Sequence, residues 1–152
     1  YEGRLASPHT MLCANAALDA IAGHYQRIAE TQNTRISWRL DLPERLPLDE
    51  VDLCMMLGNL LENALRAVCA LPVEAREVRV VSGMIGSAML GLSVENGYVG
   101  EIAFAPNGLP TSHKKDHGVG LASVAATVKR YNGTLSVTAK DGTFGVNILL
   151  SL

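Results

Sequence analysis

Between Asp49 and Leu71 the chain reads as one amphipathic helix, and no other stretch narrows the possible folds as much. At about 100° per residue, Leu53, Leu57, Leu60, Leu61, Ala64, Leu65 and Val68 fall in a single apolar arc, with Asp52, Asn59, Asn63 and Arg66 roughly opposite. Such a helix must lay its stripe on a second layer of structure. Its polar face is unusual in content. Asn is about 0.6 kcal/mol worse than Ala in a helix interior, so Asn59 and Asn63, one turn apart, carry a local cost that a ligand or a buried hydrogen bond would offset. A plain solvated face is the other reading of the same residues. Asp49, Glu50 and Asp52 suit the positive end of the helix dipole, and Pro72 closes the other end.

The second layer is legible as strands. Ile36, Trp38, Leu40 and Leu42 alternate with Arg35, Ser37, Arg39 and Asp41, the pattern of a half-buried strand. Glu77 to Ile85 and Ala88 to Asn96 form two more, joined at Gly86-Ser87. In the latter, Leu90, Leu92, Val94 and Asn96 share a face, so an amide ends an apolar row. Leu135, Val137 and Ala139 lead to a tight turn at Asp141-Gly142 and a last strand bearing Phe144, Val146, Ile148 and Leu150.

Two further helices are expected. One starts at Ser7-Pro8 and carries Leu18, Ile21, Ala22, Tyr25, Ile28 and Ala29 to about Glu30. The other runs from Val119, with Leu121, Val124, Ala125 and Val128 as its stripe, to a C-cap at Asn132-Gly133. The 21 residues from Gly97 to His117 hold Gly97, Gly100, Pro106, Gly108 and Pro110 and read as an irregular lid, with Lys114 and Lys115 placing positive charge near its end. The order α, β, α, β, β, lid, α, β, β predicts an α/β (α+β) two-layer sandwich. Three helices would pack on one face of a mixed, mostly antiparallel five-stranded sheet, in one domain spanning residues 1–152.

Composition sets the outer bounds. A chain of 152 residues can bury roughly 70% of its unfolded surface without disulfides or metal staples. A net charge of −2 points away from nucleic acid or an acidic membrane as the main partner, so phosphate recognition would have to be local. Cys13, Cys54 and Cys69 are odd in number and widely spaced, which suggests neither a disulfide framework nor a zinc site. No apolar run approaches the ~20 residues of a membrane span, and Tyr1-Glu-Gly-Arg is not a signal peptide. The abrupt beginning leads us to expect a segment of a longer protein.

Two motifs point to chemistry. Asn59-Leu-Leu-Glu-Asn63-Ala64 resembles the N-box of the GHKL nucleotide-binding superfamily, which includes gyrases and histidine kinases. Gly118-Val119-Gly120-Leu121 and the residues after it resemble the second glycine box and following helix of histidine kinases. The resemblance implies a Bergerat-type fold binding ATP with Mg²⁺. Asn63 would be the metal-binding Asn, Asn59 would face the phosphates or their water shell, and Arg66 matches a basic residue that often follows the N-box. Gly118 to Leu121 would approach the phosphates through backbone N–H groups. Lys114 and Lys115 would add charge beside them, and Thr143, after Gly142, resembles the third glycine box. Glu62, some 100° round the helix from Asn63, reads as a surface or packing residue. Members commonly carry Asp-x-Gly-x-Gly where this chain has Asn96-Gly97-Tyr98-Val99-Gly100. The Asn96 carbonyl can still accept an adenine amino proton, but the charge is gone and Tyr98 replaces a glycine. This departure resembles the peptide-sensing, quorum-type kinases.

The reaction class turns on Asn59. Hydrolysing branches and anti-sigma-factor kinases usually have a Glu there as general base, and an amide cannot serve. The resemblance therefore implies the catalytic domain of a two-component sensor histidine kinase, passing the γ-phosphoryl of ATP to a His on a separate dimerisation domain and from there to a response regulator. His9 and His24 are followed by Thr10 and Tyr25 rather than by an acidic residue, so the phosphoacceptor is expected outside the segment. The full-length protein would be a homodimeric membrane-bound sensor with this domain in the cytoplasm, touching neither membrane nor nucleic acid. A non-catalytic nucleotide-binding or interaction module and an anti-sigma-factor serine kinase are the alternatives.

Overall fold

A computed structural model describes residues 10–111 and 115–152, with the side chains of 115–119 excepted. Among the described residues three α-helices, α1 (Ala16–Thr31), α2 (Glu50–Val68) and α3 (Lys115–Arg130), lie on one face of a five-stranded sheet. The strands are β1 (Arg35–Asp41), β2 (Glu77–Ile85), β3 (Met89–Gly97), β4 (Thr134–Lys140) and β5 (Thr143–Ser151). Their order is β1-β2-β3-β5-β4, with β1 and β2 parallel and every other pairing antiparallel. This is the two-layer α/β sandwich expected from the sequence.

The stripe on α2 is the centre of the core. Leu53, Leu57, Leu60, Leu61, Ala64, Leu65 and Val68 are all buried, facing Val78 and Val80 of β2, Leu90, Leu92 and Val94 of β3, and Val146, Ile148 and Leu150 of β5. The helix ends at Val68, three residues short of Leu71, because its last turn tightens: Ala70 and Leu71 donate to Ala67 and Val68. The carbonyls left over at Cys69 and Leu71 accept from the Arg76 guanidinium, which also reaches the Gln32 carbonyl beyond α1. One side chain thus ties together the C-terminal ends of two helices.

The other departures have equally local causes. Residues 10–15 are not helical, and α1 begins only at Ala16; the expected start at Ser7-Pro8 lies outside the described residues. The cap is Asn15, fully buried, whose Oδ1 accepts from the Leu18 N–H while its Nδ2 donates to the Glu44 carbonyl and to Glu50 Oε2 at 2.6 Å. α3 begins at Lys115 rather than Val119. At its far end Asn132, not Gly133, takes the left-handed conformation, with φ 51°. The β4–β5 turn has positive φ at both Asp141 and Gly142, the geometry that suits a two-residue hairpin. Residues 103–111 of the expected lid form a small hairpin of their own. Ala105 donates to Leu109 and Thr111 to Ala103, with Gly108 at φ 84° in the turn.

α1 packs on α2 through Tyr25, whose hydroxyl lies over Gly58. Burial, and secondarily the adjacent Glu62 carboxylate, pushes the Tyr25 phenol from 10.0 up to about 12. The fold accommodates the neutral phenol better than the phenolate. The stability linked to this group is therefore whole below pH 10 and lost as pH rises toward 12. Denaturant midpoints measured across that window should fall with pH in the parent protein and fall less steeply in Tyr25→Phe. Equal slopes would show that Tyr25 does not carry the effect.

Candidate functional site

The polar face of α2 opens on a cavity of about 450 Å³, within the range of small-molecule sites. α2 contributes Asn63, Arg66, Ala67 and Ala70 from its last turns and just beyond them, and the sheet contributes Asn96 and Phe144. Tyr98, Val99, Ile102, Pro110 and Thr111 wall it from the loop after β3, and Leu121 closes it from α3. An apolar interior with a few convergent polar groups results.

Asn96 is the most informative of these groups. Period-two alternation places it on the inner face of β3 beyond Val94, opposite Phe144 of β5. It is only 5% exposed. Its Nδ2 donates to the Gly97 carbonyl at 2.8 Å, which turns Oδ1 the other way, and Oδ1 has no partner among the described residues. A buried acceptor without a donor costs about 1–3 kcal/mol, so this arrangement favours a ligand that brings an N–H. At Gly97 beside it, a Cβ would lie 3.0 Å from Leu71 Cδ1, so that side chain packs closely over the backbone here.

Asn63 and Arg66 lie at the polar end. Arg66 is exposed and pairs with no carboxylate among the described residues, and the Asn63 amide likewise has no hydrogen-bond partner there. No group of three His, Cys, Asp or Glu side chains able to hold a metal occurs among the described residues. That donor set does not suit a metal caged wholly by protein. It does fit Mg²⁺, which keeps its waters and takes one or two protein oxygens beside substrate phosphates.

Gly120 brings the α3 backbone against both amides of α2, for a Cβ there would lie 3.7 Å from Asn63 Nδ2 and 3.9 Å from Asn59. Gly118 falls in the fourth position of α3 and Gly120 in the sixth. The N–H of Gly120 is consequently spent inside the helix, and only the groups of the first turn are free for an anion. Asn59 stands outside the cavity wall, its Nδ2 donating to Met55 Sδ at 3.1 Å. Thr143 is exposed and also outside it; its neighbour Phe144 is the residue of β5 that lines the cavity. Lys114 lies outside the described residues. Lys115, Gly118 and Val119 are placed in the first turns of α3, and Leu121 reaches the cavity. Glu62 is exposed beside Tyr25, away from the site, and His24 is exposed on α1.

Sequence reasoning did not predict that Ala67, Ala70, Tyr98, Val99, Ile102, Pro110, Thr111 and Phe144 together form the cavity's wall. Signals existed for some of them: Phe144 is the first inward residue of the last strand, Tyr98 and Val99 stand in the altered glycine box, and Ile102, Pro110 and Thr111 fall in the expected lid.

The profile of the GHKL domain family matches residues 48–151, most of the chain, and the chain belongs to that family. The mycobacterial sensor histidine kinase MprB shares the fold with a TM-score of 0.63 at 19% identity, covering 89% of this chain and 93% of that one. The catalytic domain of the histidine kinase ThkA, in a nucleotide-free form, gives 0.64 at 13% identity over 89% of this chain and 90% of its own. Full-length ShkA in complex with AMPPNP gives 0.62 at 21% identity, with 96% of this chain covered and 31% of that chain. At these identities the likeness is one of fold. Among curated proteins none matches significantly. No helix among the described residues is long and apolar enough to cross a membrane.

Proposed function

We propose that this chain is the ATP-binding catalytic domain of a sensor histidine kinase, a single domain of a longer two-component protein, and of the peptide-sensing, quorum type. The observation that carries the reading is the buried, unpartnered Oδ1 of Asn96 at the apolar end of a cavity whose other end holds Asn63 and Arg66. The base of ATP would fit the apolar end, where Asn96 would accept from its amino group. Asn63 would hold Mg²⁺, which would supply positive charge against the phosphates, and Arg66 would add a donor beside them.

The type of acceptor follows from what lines the cavity. No Asp, Glu or His among the described residues reaches it, and Asn59 is an amide turned toward Met55, so none of these residues offers a water molecule a base. Such a lining suits a nucleophile that needs no base. A neutral imidazole on a separate dimerisation domain satisfies this, with a response regulator as the next acceptor and the homodimeric sensor supplying both domains.

The test is radiolabelled ATP with the segment alone, with the dimerisation helices of its parent protein alone, and with both. Label should appear only on the helices and only in the mixture, and should be acid-labile as phosphohistidine is. Acid-stable label on a partner would identify a serine kinase instead. Mg-ATP binding without transfer would identify a non-catalytic module, favoured by the loss of charge at Asn96.

A further inference from the structure

At the end of α2 remote from the cavity, a polar cluster joins its first turn to the end of α3. Tyr131 donates its hydroxyl proton to Asp52 Oδ2 at 2.7 Å and accepts from the Asp49 N–H at 3.3 Å. Arg130 Nη2 bridges Asp52 Oδ1 and Thr127 Oγ1, both at 3.2 Å. The Asp52 side chain is 18% exposed, so its bond from Tyr131 is partly shielded from water and strengthened by that shielding. The Arg130 side chain is 63% exposed, and its pair with Asp52 is a surface one that adds little. None of these residues lines the cavity.

The two helices run antiparallel. Where Asp52 meets Arg130 and Tyr131 at one end, Asn59 and Asn63 meet Gly120 at the other. Between them α3 rests on α2 and the sheet through Leu121, Val124 and Val128. Apolar contact is not directional and by itself leaves a helix free to pivot slightly, whereas charge-assisted hydrogen bonds have a preferred geometry. From Arg130 to Gly120 is ~15 Å of helix, so a pivot of about 10° at the fastened end moves the far end by roughly 2–3 Å. That is enough to draw the Gly120 backbone away from the Asn63 amide.

We infer that Asp52 and Tyr131 are positioning residues for the nucleotide site, a clasp that holds the pivot of α3 so that its Gly120 end stays against Asn59 and Asn63. The inference rests on the ATP reading above for its effect on affinity, but the clasp itself has a readout that does not. Amide hydrogen exchange in Tyr131→Phe and Asp52→Ala should quicken at Gly120 to Val124, remote from the substitutions, while Leu57 to Leu61 of α2 is unchanged. Mg-ATP affinity should fall roughly three- to tenfold, within the range carried through packed networks, with the transfer rate at saturating ATP unchanged. Asp52→Asn, which keeps an acceptor for Tyr131, should recover most of both.

Faster exchange confined to residues 128–134, with Mg-ATP affinity as in the parent, would overturn the clasp and leave Tyr131 a local structural residue. A parent protein that fails to bind Mg-ATP would sink the functional reading instead, and exchange at Gly120 to Val124 would still decide for or against the clasp.

Discussion

Asn63→Ala is expected to weaken Mg-ATP binding by on the order of 10–100-fold, the loss of one charge-assisted contact to a ligand. Asn63 lines the polar end of the cavity, has no hydrogen-bond partner among the described residues, and sits 3.7 Å from the position a Cβ on Gly120 would take. Removing its amide therefore unsatisfies nothing else in the protein. The helix should gain slightly, by about 0.6 kcal/mol, because Ala is the better helix former. Loss of affinity and unchanged or raised stability should thus appear together, a combination that general damage cannot produce. Calorimetry with Mg²⁺ and with EDTA measures it, and the EDTA titrations of parent and variant should nearly coincide. Undiminished Mg-ATP affinity in the folded variant would take Asn63 out of the site.

The largest effect on stability is expected at Gly133. A Cβ there would lie 2.2 Å from the Leu149 carbonyl oxygen and 3.1 Å from Val128 Cγ1. Leu149 belongs to β5, paired with Thr134 at the start of β4, so the clash is with backbone held on both sides and no side-chain rotation relieves it. Gly133→Ala must part the α3–β4 junction from β5, at a cost of about 2–4 kcal/mol, or roughly 6–12 °C in Tm for a domain of this size. Gly86→Ala is the control. Gly86 has φ 65° and open space within 4 Å of where its Cβ would sit, so only left-handed strain of about 1–2 kcal/mol applies. Thermal and urea unfolding of the two variants separates the causes. A loss at Gly133 no larger than at Gly86 would mean that the close approach is not what requires glycine there.

Most of the architecture could be read in advance because it rests on periodicity. The seven apolar residues of α2 and the alternation in β1, β2, β3 and β5 each specify one buried face, and burying those faces together leaves few arrangements. Ends of elements were less legible. The start of α1 depends on Asn15 meeting Glu44 and Glu50, and the end of α2 on Arg76 reaching Cys69 and Leu71, contacts that no periodic pattern records.

The candidate site divides the same way. Asn63 and Arg66 stood out through the resemblance of their helix to the N-box, the local pattern alone leaving a solvated face open, and Asn96 as an amide that ends an apolar row. The sequence by itself thus determined the layers, the helix that organises them and the polar groups around which a ligand could gather. Tertiary structure alone decided that Phe144 meets Asn63 and Asn96 around one cavity, that residues 103–111 form a hairpin wall, and that Asp52 meets Tyr131. The physical reason is that burial patterns repeat within a segment and leave a trace there. Which residues meet across a cavity or at the ends of two helices depends on strand register and helix crossing, and neither is a property of one segment.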